Sequence, residues 1–381
     1  MSSTRKHSRA IRAITSISIG IVALSAIGWL GLGRVSGSLN RVDAFANVKN
    51  RPNKPTSAIN LLLVGSDNRA GLTRAQIREL WVGGTEVAAG ARSDTMLLIH
   101  ISKARDSAVI ISLPRDSLVT IPEHISSADS TKTVPARQNK LNAAFNFGGA
   151  PLLISTLENA TGLRIDHYIE INFLGFKNII DALGGIDVCI NKSINDKKSN
   201  LVLDAGLQTL DGIQALKYVR ARYFDGLGDI GRMKRQQEFM SAVLRKATST
   251  GTLLNPIKLV NFFNAAIKTV TTDEELSKND LLTLGKQLKN LSANKVRTLT
   301  VPLSNANGRV AGLGSVVIWD NALAPELFNR LLNDQPIIDE VTASPSASPS
   351  ASASASASPS TTIVDKFKTQ TASDNTCPSA K

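Results

Sequence analysis

The chain has 381 residues, 42% of them hydrophobic, with a formal net charge of +13 and a pI near 9.8. That length holds one large domain or two, the apolar share suffices for a core, and the basic balance implies an anionic partner: nucleic acid, acidic lipid or an acidic polymer. Two cysteines and four scattered histidines without zinc-ligand spacing exclude a Cys/His metal cluster, so any metal chemistry must use carboxylates.

From the N-terminus, Arg5, Lys6, Arg9 and Arg12 precede Ala13 to Leu32, a run of twenty residues without a charge. Such a run spans a bilayer as a helix, and the basic flank keeps its N-terminal side in the cytoplasm. Residues 1–12 are therefore predicted as a cytoplasmic tail and 13–32 as a retained single-pass transmembrane helix in the cell membrane, with everything after it extracytoplasmic. A cleaved signal peptide is the competing reading. Its only A-x-A candidate, Ala44-Phe45-Ala46, lies beyond Arg34, Arg41 and Asp43, too far on. Residues 33–57 read as a polar stalk and 58–336 as the folded body.

Ile59 to Val64 is a short apolar run suited to a buried strand, ending in Gly65-Ser66-Asp67-Asn68-Arg69. A second run, Met96 to Ile101, follows Arg92-Ser93-Asp94-Thr95, and a third, Val109 to Leu113, precedes Pro114-Arg115-Asp116. Asp67 follows its strand and Asp94 precedes its own, so antiparallel pairing would bring both carboxylates to one edge. Arg115 would join them if its strand ran parallel to the first. Taken singly, each acid reads more readily as a turn residue or helix cap. Their recurrence is what points to a site.

Lys140 to Gly162 reads as a loop in which Gly148-Gly149-Ala150-Pro151 opens a helix that stops at Gly162. The Gly-Gly pair lacks Walker or G-x-G-x-x-G spacing and reads as a plain turn. There follow a strand from His167 to Ile171 and an amphipathic helix capped by Asn172, with Phe173, Phe176, Ile180 and Leu183 inward and Gly184-Gly185 as its stop. A strand at Ile186 to Ile190 and a helix over Leu210 to Val219 come next.

That helix leads into Tyr218 to Gln237, where Arg220, Arg222, Arg232, Lys234 and Arg235 surround Asp225 and Asp229, with Gln236 and Gln237 behind. Asp229 is placed as the cap of the following helix, on which Arg232, Arg235 and Gln236 fall at i, i+3 and i+4. Phe239 and Val243 continue the same side in apolar form. Guanidinium forks converging from a loop and a helix start suit a polyphosphate, because each can hold two phosphate oxygens. The plainer alternative is a solvated charge run with internal Arg–Asp pairs. The acids and arginines at the three strand ends favour the site.

Beyond Gly251 helices are predicted over Pro256 to Thr269 and Leu281 to Leu291, a strand over Val296 to Val301, and a closing helix over Pro325 to Leu332. Strands alternating with helices predict an α/β fold, a layered αβα domain with a central mixed β-sheet preceded by the one transmembrane helix. From Thr342 to Thr362 serine, alanine and proline alternate almost exclusively, so 337–362 is predicted as a disordered linker and 363–381 as a tail. Cys189 and Cys377 could pair in an exported chain, but a flexible tail weighs against it.

Together these residues resemble the LytR–CpsA–Psr family of membrane-anchored cell-envelope proteins, from about Ser57 to Pro336. The motifs LLLVGSDNR, RSDTMLLIHI, SLPRD, KLNAAFNFGG, ALGGIDVCI, LDGIQALKYVRAR and GDIGRMKRQQ arrive in family order. The segment GLGSVVIWD and the low-complexity tail look most like actinobacterial members. The resemblance implies a phosphotransferase that moves an anionic glycopolymer from a polyprenyl diphosphate carrier to peptidoglycan. Its metal-linked acids would be Asp67 and Asp94, and its diphosphate-binding arginines Arg115, Arg222 and Arg232, with Gln236 one turn on. Arg69, Arg92 and Arg220 are adjacent candidates. The family's second arginine after the PRD motif is absent, since Leu118 and Val119 stand there, which shifts that contact to Arg220 or Arg235.

Read with the residues, this implies Mg²⁺ (or Mn²⁺) on Asp67 and Asp94, since a hard cation prefers carboxylate and phosphate oxygens. Arg115, Arg222 and Arg232 would neutralise charge on the reacting oxygens, and Asp94 is the candidate to take the acceptor's proton. No Ser-His or Cys-His pair is visible, which favours direct in-line attack. Phe145, Phe147, Phe173 and Phe176 are candidate walls for a prenyl chain, though such spacing more often marks ordinary core. Rival readings are a non-catalytic anchor binding acidic wall polymer, a pyrophosphatase acting on the carrier lipid, and, last, a transcriptional regulator, for which no DNA-binding motif speaks.

Overall fold

The computed structural model describes residues 40–69, 72–83, 93–221, 228–248, 269–287, 291, 293–342, 361–371 and 377. Its centre is an eight-stranded mixed sheet made of β1 (Asn40–Val42), β2 (Ile59–Ser66), β3 (Ser93–Ile101), β4 (Ala108–Leu113), β5 (His167–Ile171), β6 (Val270–Asp273), β7 (Val296–Thr300) and β8 (Gln370–Thr371). In space the order is β1-β6-β5-β2-β3-β4-β7-β8. The central trio β2, β3 and β4 is antiparallel, so β4 runs parallel to β2. The flanking pairs β5–β2 and β4–β7 are parallel.

Period-2 alternation in strands that are apolar on both sides demands cover on both faces. Leu62, Val64, Met96, Leu98, Ile111 and Leu113 go to one face. Helices α2 (Leu141–Thr161) and α7 (Leu323–Leu332) cover them with Leu153, Leu157, Leu327 and Phe328. Leu61, Leu97, Ile101, Ala108 and Ile110 go to the other, under Met240 and Leu244 of α5 (Gly228–Thr248) and Leu284 of α6 (Lys278–Gln287). A side layer of α1 (Arg74–Leu80), α3 (Phe173–Ala182), α4 (Gly212–Arg220) and the hairpins 186–190/206–210 and 194–196/201–203 completes this second face. The predicted layering and the mixed sheet are what is found.

Several local expectations change. Asn172 caps α3 as predicted, its side chain accepting the Gly175 amide at 2.8 Å. Asp229, expected to cap α5, lies inside its first turn instead, because the helix already begins at Gly228. The segment before Gly148 is helical rather than loop. α2 starts at Leu141 and kinks at Gly148–Gly149, where Gly149 takes a φ of 63° that a side chain would resist. The helix predicted over 256–269 falls almost wholly on residues outside the description, as does the transmembrane helix at 13–32. Among the described residues no helix is long and apolar enough to cross a membrane.

Both boundaries of the predicted body move outward. Residues 40–57 are not a free stalk: β1 pairs with β6, Ala44 is buried, and Arg51 forms an ion pair of 2.7 Å with buried Glu158. The C-terminal segment also returns to the domain. Asp339–Thr342 pairs with Thr361–Val364, Phe367 inserts into the core beside α7, and β8 closes the sheet against β7. Cys377 is disulfide-bonded to Cys189, closing a sequence separation of 188 residues. Such long-loop closure stabilises mainly by restricting the unfolded chain. Cys189→Ser should therefore cost about 2–4 kcal/mol in urea unfolding, an effect that reductant reproduces in the parent protein. An unfolding midpoint indifferent to both would show that the bond does not fasten this segment.

Candidate functional site

The pairing of the central trio decides where the acids and Arg115 go. β2 ends at Ser66 with Asp67 next, while β3 begins beside it, and Gly65 pairs with Thr95 but Ser66 with Ser93. The extra residue in that step is Asp94, so a β-bulge sits at the strand end that Asp67 follows; bulges of this kind re-aim a side chain at a sheet end. β4 also ends on this edge, which places Pro114-Arg115-Asp116 there. The Arg115 Nε donates to Asp116 Oδ2 at 3.4 Å, and Lys140 Nζ lies 3.2 Å from Asp116 Oδ1. The first amides of α2 fasten this loop: Leu141 donates to Ser117 O at 2.8 Å and Asn142 to Arg115 O at 2.9 Å. Free amides of a helix start are thereby satisfied by the loop that carries the arginine.

Next to this edge, between the sheet and α3, α4 and α5, is a cavity of about 440 Å³. Its walls are largely apolar: Leu63 and Leu97 from the sheet, Phe173, Phe176 and Ile180 from α3, and Phe239 and Val243 from α5. Polar groups also line it, among them Asp67, Ser66, Asn172, Asp196, Lys198, Arg220, Arg232 and Gln236. An apolar chamber with a few convergent polar groups is the usual form of a small-molecule site.

The face predicted on α5 is divided, because Arg235 does not join the others at the cavity. Arg232, Gln236, Phe239 and Val243 all line the cavity. Arg232 is 5% exposed and Arg235 6%, a rare state for a guanidinium, which requires polar partners when dry. Arg235 turns from the cavity to donate from Nη2 to Ala221 O, and Gln236 Nε2 reaches Val219 O at 3.3 Å. These two bonds lash α5 to the end of α4. Burial also pushes the neighbouring Glu238 carboxyl up from its ordinary range, against the pull of Lys234 and Arg235.

Arg220 closes α4. It donates from Nη1 to Trp81 O at 3.2 Å and stacks over the Phe173 ring at 5.0 Å. Arg69 lies after β2, near the turn at Gly83. Arg92 and Arg222 lie outside the described residues, as does the side chain of Asp94, whose backbone alone is placed. Arg115 shares the sheet edge but is not part of the cavity lining. Two of the four phenylalanines proposed as walls are not: Phe145, on α2, is buried in the core, and Phe147 stacks on His124 at 5.9 Å, so both belong to the opposite face. That is the ordinary-core reading winning for this pair.

Sequence reasoning missed the hairpin 194–203 altogether. Asp196 is only 2% exposed yet lines the cavity, its Oδ1 accepting the amides of Lys198 at 2.9 Å and Ser199 at 3.2 Å. The polar string Asn195 to Asn200 looks like any turn, and only the alternation on either side (Ile194, Leu201, Leu203 buried) hinted at a packed hairpin.

Residues 35–329 match the family model described as LytR_cpsA_psr family. The probable cell wall biosynthesis protein LcpB of Corynebacterium glutamicum is 40% identical over 295 residues, 77% of this chain. The chain spans 65% of that curated relative's length. A polyisoprenyl-teichoic acid–peptidoglycan teichoic acid transferase, TagU of Enterococcus faecalis, is 33% identical over 187 residues, 49% of this chain and 57% of the relative. Among solved structures, a LytR-Csp2A-Psr enzyme from Actinomyces oris superposes with a TM-score of 0.58 over 78% of this chain and 96% of that one, at 22% identity, a likeness of fold.

Proposed function

The chain belongs to the LytR_cpsA_psr family, and on that premise we propose that it is a membrane-anchored phosphotransferase moving an anionic glycopolymer from a polyprenyl diphosphate carrier to peptidoglycan. One observation carries the reading: an apolar cavity whose polar lining includes Asp67, Arg220, Arg232 and Gln236. A prenyl chain asks for the walls and a diphosphate for the cations. The names of the relatives, a cell wall biosynthesis protein and a teichoic acid transferase, support the same substrate class.

In this reading the acceptor hydroxyl oxygen attacks the phosphorus that bears the polymer. A phosphodiester to the acceptor forms, the bridging P–O bond breaks, and polyprenyl monophosphate leaves. The hydroxyl proton passes to a carboxylate at the sheet edge, which we assign to Asp94. Arg232 and Arg220 stabilise charge on the diphosphate, with Arg115 and Arg222 on the same headgroup and Arg69, Arg92 and Arg235 as a supporting cationic shell. Gln236 is a neutral hydrogen-bonding partner one turn beyond Arg232.

Two aspartates on adjoining strand ends are an all-oxygen donor set, and no thiolate or imidazole stands in the cavity lining among the described residues. That chemistry fits Mg²⁺, or Mn²⁺, which typically takes one or two carboxylates and completes its shell with phosphate oxygens and water. Asp67 and Asp94 would hold it, and when bound it supplies further charge neutralisation on the diphosphate. Residues 13–32 would fix the domain outside the cell membrane, beside its lipid substrate.

The test is a turnover assay on the detergent-solubilised full chain, with a short-chain prenyl diphosphate-linked glycan as donor and peptidoglycan as acceptor. The expected product is a phosphodiester-linked glycan with release of the prenyl monophosphate. Release of glycan phosphate to water alone would instead make the protein a pyrophosphatase. Saturable polymer binding with neither product would leave only an anchor.

A further inference from the structure

In contact with two lining residues of the cavity, Lys198 and Arg220, stands a residue whose backbone is out of character. Trp81 ends α1 in the left-handed region, φ 55° and ψ 43°, a conformation that glycine or asparagine ordinarily supplies at a helix end. The residues on either side are not free to relieve it. Leu80 and Val82 are 1% and 2% exposed and pack with Leu216 of α4, whereas Trp81 itself is 48% exposed. Bulky residues persist in such a conformation only where the surroundings over-determine it, and these places cluster at functional sites.

Both polar groups of this residue that face the site are engaged. Its indole Nε1 donates to Lys198 O at 3.1 Å, in the turn that buried Asp196 fixes through the Lys198 and Ser199 amides. Its own carbonyl accepts Arg220 Nη1 at 3.2 Å. The turn continues to Gly83, φ 73°, where an added Cβ would sit 3.7 Å from Arg69 Nη1. One short turn thus holds Arg220 and runs close to Arg69, two of the candidate diphosphate cations. A chain of contacts runs from Asp196 through the Lys198 backbone and Trp81 to the Arg220 guanidinium, whose other side rests on the Phe173 ring.

We propose that Trp81 is a positioning residue that orients the Arg220 guanidinium at the cavity for a prenyl-linked diphosphate. The inference rests on the functional reading above for the identity of the ligand, and on the contacts alone for the link between the two residues. A carbonyl can hold a guanidinium in place without cancelling its charge, which an aspartate in the same position would do. The ring is needed because it ties the carbonyl's residue to the neighbouring hairpin. A fork held in advance loses less freedom on meeting its anion.

A four-protein cycle tests this: parent, Trp81→Phe, Arg220→Ala and the double variant, each as full chain in detergent. Calorimetry with geranylgeranyl diphosphate is the first readout. Trp81→Phe loses the indole bond and should weaken binding roughly three- to tenfold, the scale of one neutral hydrogen bond. Arg220→Ala should weaken it about tenfold or more, as expected when a charge-assisted contact goes. The double variant should bind no worse than Arg220→Ala alone, because the ring then has nothing left to orient. Effects that simply multiply would overturn the proposal. If the parent itself ignores the diphosphate, the functional reading fails. The link is then judged by thermal midpoints of the same four proteins: non-additive losses uphold it, and additive losses reject it.

Discussion

Arg232→Ala should lower glycopolymer transfer at least a hundredfold while the protein keeps its fold. The guanidinium is almost fully buried, yet it lies on the cavity wall, one turn from Gln236 and on the helix face that Phe239 and Val243 continue. A positioned cation in a site with little water acts on developing charge without reorganising. Removing one such group typically costs ~3–4 kcal/mol of barrier. Stability should respond far less. The side chain borders a cavity rather than filling the core. Arg232→Lys separates charge from geometry, because an ammonium keeps the charge but not the two-pronged fork. It should recover part of the rate at most. Circular dichroism and thermal unfolding would show the folded state, and steady-state turnover the loss. A folded Arg232→Ala protein that transfers at the parent rate would remove this residue from the reaction.

The edge that gathers the strand ends at Asp67, Asp94 and Arg115 was legible because its cause is local. Three apolar runs with acid or arginine at one end can be paired in few ways, and antiparallel β2–β3 with parallel β2 and β4 brings those ends together. The face of α5 was legible for the same reason, since helical spacing alone joins Arg232 to Gln236. What escaped depends on contacts distant in sequence. Nothing near Cys377 announces Cys189, and a Ser/Ala/Pro stretch hides that the chain beyond it pairs with β7 and buries Phe367. Residues 40–57 looked like a stalk because their anchors are a three-residue strand and single side chains; Arg41, for example, donates to the carbonyls of Asp273, Glu274 and Leu276. Trp81 and Asp196 escaped for a third reason. Each belongs to a turn whose sequence is unremarkable, and only the meeting of those turns gives either residue a role.

The paired variant Asp67→Ala with Asp94→Ala should abolish divalent-ion dependence together with turnover. The β-bulge is the reason to treat the two as one unit. It makes Asp94 the extra residue opposite the Gly65–Ser66 step, immediately beside the position that Asp67 occupies after β2. If the two carboxylates share a cation in this reading, the ion offsets the repulsion that like charges at one strand end would otherwise feel. Losing both should therefore eliminate Mn²⁺ binding measured by calorimetry in the presence of a prenyl diphosphate. Diphosphate binding itself should be only weakened, because Arg220 and Arg232 reach the cavity from α4 and α5, independent of the strand ends. Turnover should fall by two orders of magnitude or more, the scale of losing a positioned electrostatic group. The two readouts divide the site. A variant that keeps the parent's metal affinity would move the cation elsewhere, even if transfer were lost. One that loses metal and diphosphate together would mean that the arginines cannot hold the headgroup alone, and that the sheet edge and the α5 face act as a single binding surface.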